Sequence, residues 1–259
     1  MFWERNIVAG VLLVAIAFSI HSCTPAPNKS EILVSAAISL KNAFEEIGDL
    51  FEKQTGIRVR LNLGASGLLQ RQIETGAPAD VFASAGIKQM DALEDQGLIL
   101  PDTRRNFARN TLVLIVQSHS QLPIHSFADL ADPQATGIAI GNPKTVPAGQ
   151  YAREALTNLR LWNRIQSRFV LAENVRQVLE YVSHGEVEAG IVYSSDVTIA
   201  HGRVVVAAYA PDGSHSPILY PIAVVKETEK RSSARRFIDL ILRSEGQAIL
   251  QKYGFLSPR

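Results

Sequence analysis

Apolar positions along this chain follow two rhythms, short continuous runs and stretches spaced three and four apart, and the two alternate. Residues 31–37 (EILVSAA) form a short apolar run that reads as a buried strand. Apolar side chains then recur at Leu40, Ala43, Phe44, Ile47, Leu50 and Phe51, a helical spacing that Gly56 closes. Residues 57–63 alternate as a second strand, and Gly64-Ala65-Ser66-Gly67 turns into a helix over 68–75 that Gly76 ends. A third strand is expected at 80–84 and a short helix at 89–96, stopped by Gly97. The run 111–116 (TLVLIV) is a strongly apolar strand, followed by a strand at 137–140 and helices at 149–159 and 175–183. Strands at 189–193, 204–208 and 218–225 and helices at 233–242 and 247–252 complete the pattern.

This order implies an α/β architecture with mainly parallel sheets and right-handed crossovers. The apolar strands at 111–116 and 218–225 suit two crossings between lobes. One lobe would comprise 31–110 and 218–259, the other 111–217. A cleft between them would face the strand carboxyl ends, where such sheets bind ligands.

The amino terminus reads as an export signal over residues 1–22. Residues 7–20 (IVAGVLLVAIAFSI) carry no charge and follow Arg5. Fourteen residues span about 21 Å as a helix, short of the roughly 30 Å hydrocarbon core, so a cleaved segment fits better than a membrane span. The only cysteine, Cys23, follows that run after His21 and Ser22. It resembles the lipidated first residue of a mature lipoprotein, although His21 and Glu4 depart from the usual signal. Ordinary cleavage nearby, with Cys23 incidental, is the alternative. Residues 23–30 then form a Pro-containing tether.

Composition narrows the function classes. The 259 residues are 46% apolar and 20% charged, a globular balance. A net charge of +1 offers no basic excess for neutralising phosphates, which argues against nucleic-acid binding. A single Cys excludes a disulfide framework and any multi-thiolate metal site.

Familiar enzyme motifs fail on inspection. Gly64-Ala65-Ser66-Gly67-Leu68 has Leu where a nucleophile elbow needs Gly. Gly141-Asn142-Pro143-Lys144-Thr145 lacks the spacing of a phosphate loop. The histidines at 119, 125, 184, 201 and 215 show no i,i+4 pairing. An exported serine hydrolase using Ser66 and a distant His stays open, because triads are recognised by geometry.

What remains is a set of small polar residues at strand-to-helix turns: Ser39, Ser66, the segment Val146-Pro147-Ala148-Gly149, and Glu173-Asn174-Val175. Taken singly, each is a cap or first-turn residue. Four such turns around a cleft offer free N–H donors and partial positive charge, which suit an anion without any Lys or Arg.

Several segments resemble the periplasmic molybdate-binding proteins of ABC transporters, the ModA family. They are Ala36-Ala37-Ile38-Ser39-Leu40, the stretch from Arg71 to Asp80 (RQIETGAPAD), and Val146-Pro147-Ala148-Gly149-Gln150-Tyr151-Ala152. Glu173-Asn174-Val175-Arg176, the stretch from Gly190 to Asp196 (GIVYSSD), the stretch from Tyr220 to Val225 (YPIAVV) and Tyr253-Gly254-Phe255 continue the family's order. The resemblance implies a two-lobed periplasmic-binding-protein fold, an oxyanion ligand (molybdate or tungstate), no cofactor, no catalysis, a monomer and a membrane permease as partner. Carried over by motif, the anion's contacts are Ser39 and Ser66 from one lobe, then Ala148, Val175 and Tyr193 from the other. The serines would give hydroxyl and N–H donors, Ala148 and Val175 N–H only, and Tyr193 its phenol. Ala65 and Gly67 stand where some relatives have serines, and Asn174 where relatives often have Asp. Asp80 and Asp196 are expected to bond backbone N–H groups.

A shell of donors alone suits a fully deprotonated tetrahedral dianion. Phosphate keeps a proton at neutral pH, and a buried donor–donor mismatch costs about 1–3 kcal/mol. Sulfate has the right charge but shorter bonds; a sulfate receptor is the alternative within the same class. An iron-binding relative fits poorly, since Tyr193 is followed by Ser-Ser and has no neighbouring Tyr. A small-molecule sensor domain is weakened by the export signal.

Overall fold

The computed structural model describes residues 1 and 30–258. The export signal, most of the tether and Cys23 lie outside the described residues.

Two five-stranded sheets organise the chain. The first has the order β2-β1-β3-β10-β4, from Glu31–Ala37 (β1), Arg58–Gly64 (β2), Val81–Ala83 (β3), Arg105–Arg109 (β4) and Leu219–Val224 (β10). The second has the order β7-β6-β8-β5-β9, from Leu112–Gln117 (β5), Ile138–Gly141 (β6), Phe169–Ala172 (β7), Ala189–Tyr193 (β8) and Val204–Tyr209 (β9). In each sheet four strands point the same way and the fourth in the order, β10 or β5, is reversed. The sheets are therefore mixed, with the antiparallel strand entering directly after each crossing, at residues 110–111 and 210–218. Each sheet with its helices is one lobe.

Helices cover the sheets because their apolar stripes have nowhere else to go. Lys41–Thr55 (α1) buries Ala43, Phe44, Ile47 and Phe51, and Gly56 ends it in the left-handed conformation at φ 72°. Phe44 and Phe51 meet Phe237 of Arg231–Leu242 (α8) edge-on at 5.9 and 5.4 Å, and Phe44 meets Phe107 of β4 at 5.7 Å. Ser244–Lys252 (α9) follows, and Ser66–Glu74 (α2) and Ile87–Asp95 (α3) complete the first lobe. In the second, Pro147–Asn158 (α4), Trp162–Ile165 (α5), Val175–Ser183 (α6) and Ser194–Val197 (α7) surround the sheet. On α6 the residues Val178, Leu179 and Val182 are fully buried, each contributing about 1.5–3 kcal/mol of transfer free energy.

Two strands escape the apolar pattern. β4 (RNFAR) pairs through a bulge with β10 and carries Arg105 and Asn106 exposed, because it is an edge. β7 is one edge of the other sheet, with Leu171 53% exposed. Edge strands need bury only one side, so their sequences lack a continuous apolar signal.

Candidate functional site

Six parallel strands deliver their carboxyl ends to one place. β1 runs into a 3-10 turn, Ile38–Leu40, that contains Ser39 and leads to α1. β2 ends at Gly64, Ala65 caps the next helix, and Ser66 is its first residue. β3 gives way to Ser84, Ala85 and Gly86 before α3. From the second lobe, β6 leads to α4 with Pro147 at its first turn, β7 to α6 with Val175 as first residue, and β8 ends at Tyr193. Helix starts leave N–H groups without a carbonyl in their own helix, so this convergence concentrates donors.

The ends border a small, partly open cavity lined by Ala37, Ile38, Ser39, Gly64, Ala65, Ser66, Ala85, Val146, Pro147, Ala148, Val175 and Tyr193. All five residues singled out from the sequence, Ser39, Ser66, Ala148, Val175 and Tyr193, therefore line one space. Each is buried, Ser66 and Ala148 completely and Ser39, the most open, at 7% exposure. Among the described residues, no Lys, Arg, Asp, Glu or His lines it.

Local sequence explains the geometry. A Cβ at Gly149 would sit 1.9 Å from the Gly141 carbonyl oxygen, so only glycine lets the first turn of α4 lie against the end of β6. Asn174 caps α6, its Oδ1 accepting from Gln177 N–H at 3.0 Å. That bond satisfies a first-turn donor beyond Val175, and the departure from Asp keeps the cap. Ala65 caps α2 without a side-chain bond, and Gly67 N–H donates to the Thr145 carbonyl of the other lobe at 2.9 Å.

The hydroxyls are fixed by their neighbours. Ser66 Oγ accepts from Ala85 N–H at 3.0 Å, which leaves its own proton to donate. The Tyr193 hydroxyl donates to the Ala85 carbonyl at 3.1 Å. Ser39 Oγ lies 3.2 Å from Tyr220 Oη. Burial pushes the Tyr193 and Tyr220 phenols well above their ordinary range, so both stay neutral and keep a proton to give. Burial also raises the Asp196 carboxyl to about 6, against the opposing pull of the Arg176 guanidinium and the Tyr193 N–H.

Further contacts join the lobes across the cleft. Lys88 meets Glu154 at 2.9 Å, Gln89 donates to Gln150 at 3.3 Å, and Arg176 donates to Asn42 at 3.2 Å. The two aspartates suggested as structural hold backbone: Asp80 accepts from Leu33 N–H at 2.7 Å and Asp196 from Tyr193 N–H at 3.1 Å. The hydrogen-bond partner of Ser66 Oγ among the described residues is the backbone N–H of Ala85.

Sequence reasoning missed Ala85, whose backbone N–H meets Ser66 and whose carbonyl meets Tyr193, and Asn110 and Tyr220 behind Ser39. Tyr220 stood in a segment quoted only for its resemblance, and no spacing rule points from position 220 to position 39.

The profile of the bacterial extracellular solute-binding protein family matches residues 32–256. The chain is 37% identical over 254 residues to the molybdate-binding protein ModA of Escherichia coli (strain K12), covering 96% of each. It is 39% identical over 245 residues to a Bacillus subtilis (strain 168) protein provisionally named as the ABC transporter substrate-binding lipoprotein YvgL, covering 94% of this chain and 93% of that one. The solved periplasmic molybdate-binding protein of Azotobacter vinelandii superposes with a TM-score of 0.80 at 28% identity, over 88% of this chain and all of the other. With the cavity held between two lobes, these similarities establish that the chain belongs to the bacterial extracellular solute-binding proteins, in the group that contains the ModA proteins.

Proposed function

We propose that this protein is the solute-binding component of an ABC transporter, that it captures molybdate, and tungstate with it, and that it hands the ion to a membrane permease. The observation that carries the reading is the convergence of Ser39, Ser66, Ala148, Val175 and Tyr193 on one small cavity. The anion is held by the hydroxyls and N–H groups of both serines, the N–H groups of Ala148 and Val175, and the Tyr193 hydroxyl. Helix-start donors and their partial positive charge balance the dianion without a lysine or arginine in contact. Relatedness to named molybdate-binding proteins supports the choice of ion.

Donor polarity supplies the selectivity. Every group in the shell gives a proton, so an anion that still carries one meets a donor head-on, at a cost of about 1–3 kcal/mol. Sulfate's shorter bonds leave several hydrogen bonds too long in a shell sized for molybdate. The ion is cargo, and the reading includes neither catalysis nor a resident cofactor. The lobes, 31–110 with 218–259 against 111–217, close about the crossings and strip the ion of water. The protein works outside the cytoplasm, as a monomer in the periplasm or on the outer face of the membrane, held there by lipid on Cys23.

Thermal unfolding of the mature protein with molybdate, tungstate, sulfate and phosphate in parallel tests the reading. A ligand at 1,000 times its dissociation constant stabilises by about 4.1 kcal/mol, a shift of several degrees for this size. A shift with molybdate or tungstate alone supports it. A shift with sulfate alone keeps the mechanism and changes the ion, and no shift with any of the four overturns the oxyanion site.

A further inference from the structure

Behind Ser39 lies a hydrogen-bond chain whose direction is set at the crossing between the lobes. Asn110 sits between β4 and β5, and its Oδ1 accepts from Thr111 N–H at 2.9 Å and faces Ser195 N–H at 3.4 Å. Backbone N–H groups only donate, so they fix which end of the amide is oxygen. The Asn110 Nδ2 group must then donate in the other direction, to Ser195 Oγ at 2.8 Å and to Tyr220 Oη at 3.3 Å. Tyr220 Oη, fully buried, accepts from Asn110 and has one proton left, and the partner within reach is Ser39 Oγ at 3.2 Å. Ser39 Oγ thus accepts from behind, and its own proton turns away from Tyr220, toward the cavity that Ser39 lines.

We propose that Asn110 and Tyr220 are positioning residues that force Ser39 to act as a donor, and so determine that the site selects anions carrying no proton. This rests on the oxyanion-receptor reading above. Neither residue lines the cavity, so each acts through Ser39. Without the Tyr220 hydroxyl, Ser39 rotates freely and accepts a hydrogen bond as readily as it donates one. The same Asn110 side chain bonds Ser195 just after Tyr193, so the polarity of a first-lobe serine is tied to the seating of a second-lobe element.

The test measures molybdate binding by titration calorimetry, and phosphate binding by competition against molybdate, in wild type, Tyr220→Phe, Ser39→Ala and the double variant. Tyr220→Phe keeps the ring, which packs against Phe255, Tyr193 and Phe107 at 5.3, 5.8 and 6.2 Å. The expected result is at least fivefold weaker molybdate binding in Tyr220→Phe together with a smaller molybdate-to-phosphate affinity ratio. In the Ser39→Ala background, Tyr220→Phe should change molybdate binding by less than twofold, because the relay has lost its end point. Asn110→Asp supplies a second route. An acceptor there draws the Tyr220 proton, obliges Ser39 to donate backward, and should weaken molybdate binding by about the factor seen for Ser39→Ala.

Wild-type protein that binds molybdate while Tyr220→Phe matches it within twofold in affinity and in the phosphate ratio overturns the relay alone. An equal loss from Tyr220→Phe with and without Ser39 also overturns it, marking the hydroxyl as a packing element. Wild-type protein that binds no oxyanion overturns the receptor reading, and the relay with it.

Discussion

The hydroxyl of Tyr193 donates to the carbonyl of Ala85 across 3.1 Å, joining the end of β8 in one lobe to the turn after β3 in the other. A phenol has one proton. Donation to a captured anion therefore exchanges the Ala85 carbonyl for an anion oxygen. The bond to Ala85 is thus one that Tyr193 would give up on contacting an anion.

Tyr193→Phe should weaken molybdate binding by about 1.5–3 kcal/mol, the range for a hydrogen bond to a charged partner. The ring contact with Tyr220 at 5.8 Å is retained, so the folded structure should persist. Calorimetric titration checks the affinity and circular dichroism the fold. Binding within twofold of wild type would remove Tyr193 from the ligand shell.

Gly67→Ala should impair closure rather than folding. The added Cβ would lie 2.7 Å from the Thr145 carbonyl oxygen, a clash between lobes. Molybdate affinity should fall about tenfold or more, some 1.4 kcal/mol, while the melting temperature without ligand changes little. A large loss of melting temperature with affinity intact would contradict this account.

Asn174→Ala removes the side-chain cap of α6 and should cost about 1 kcal/mol in urea unfolding. Asn174→Asp should preserve the cap and favour the helix dipole. If alanine and aspartate behave alike, the Gln177 contact contributes nothing.

Asp196 gives a pH signature. Its carboxyl titrates near 6 in the folded protein, from burial, and near the usual 3.9 when unfolded. Between these values the folded state holds the extra proton, so this group's contribution to stability falls as pH rises from about 4 to about 6. Above that window the ionised form costs on the order of 2–3 kcal/mol. Asp196→Asn, compared with wild type by urea unfolding at pH 4.5 and 7, should gain relative stability at the higher pH. A constant difference between the two would refute the buried-acid account.

Much of the fold was readable where burial is two-sided. The continuous apolar runs became β1, β5, β8 and β10, and the glycines at 56, 76, 97 and 185 ended helices as read. The edge strands β4 and β7 were not, because a strand with one solvent face carries Arg105 or an exposed Leu171 where a core strand would not. The turns bearing Ser39, Ser66, Ala148 and Val175 were legible as helix starts. Their meeting in one cavity was not, since it depends on strand pairings between residues from 27 positions apart (Glu31 with Arg58) to 143 (Val81 with Val224). Asn110 and Tyr220 carry no local signal of their role; only the spatial order of donors and acceptors reveals it.

The interleaving of the sheets has a consequence for how the chain matures. Strands β5 to β9 are contiguous in sequence, so the second sheet is whole once residue 209 is available. The first sheet needs β10 between β3 and β4, and that strand ends at Val224. A chain emerging amino end first therefore holds β3 and β4 with bare hydrogen-bonding edges until nearly all of it has appeared. Those edges invite wrong partners during the interval. The lobe that begins the chain is the last to be completed, and the binding cavity, which needs both, assembles only at the end.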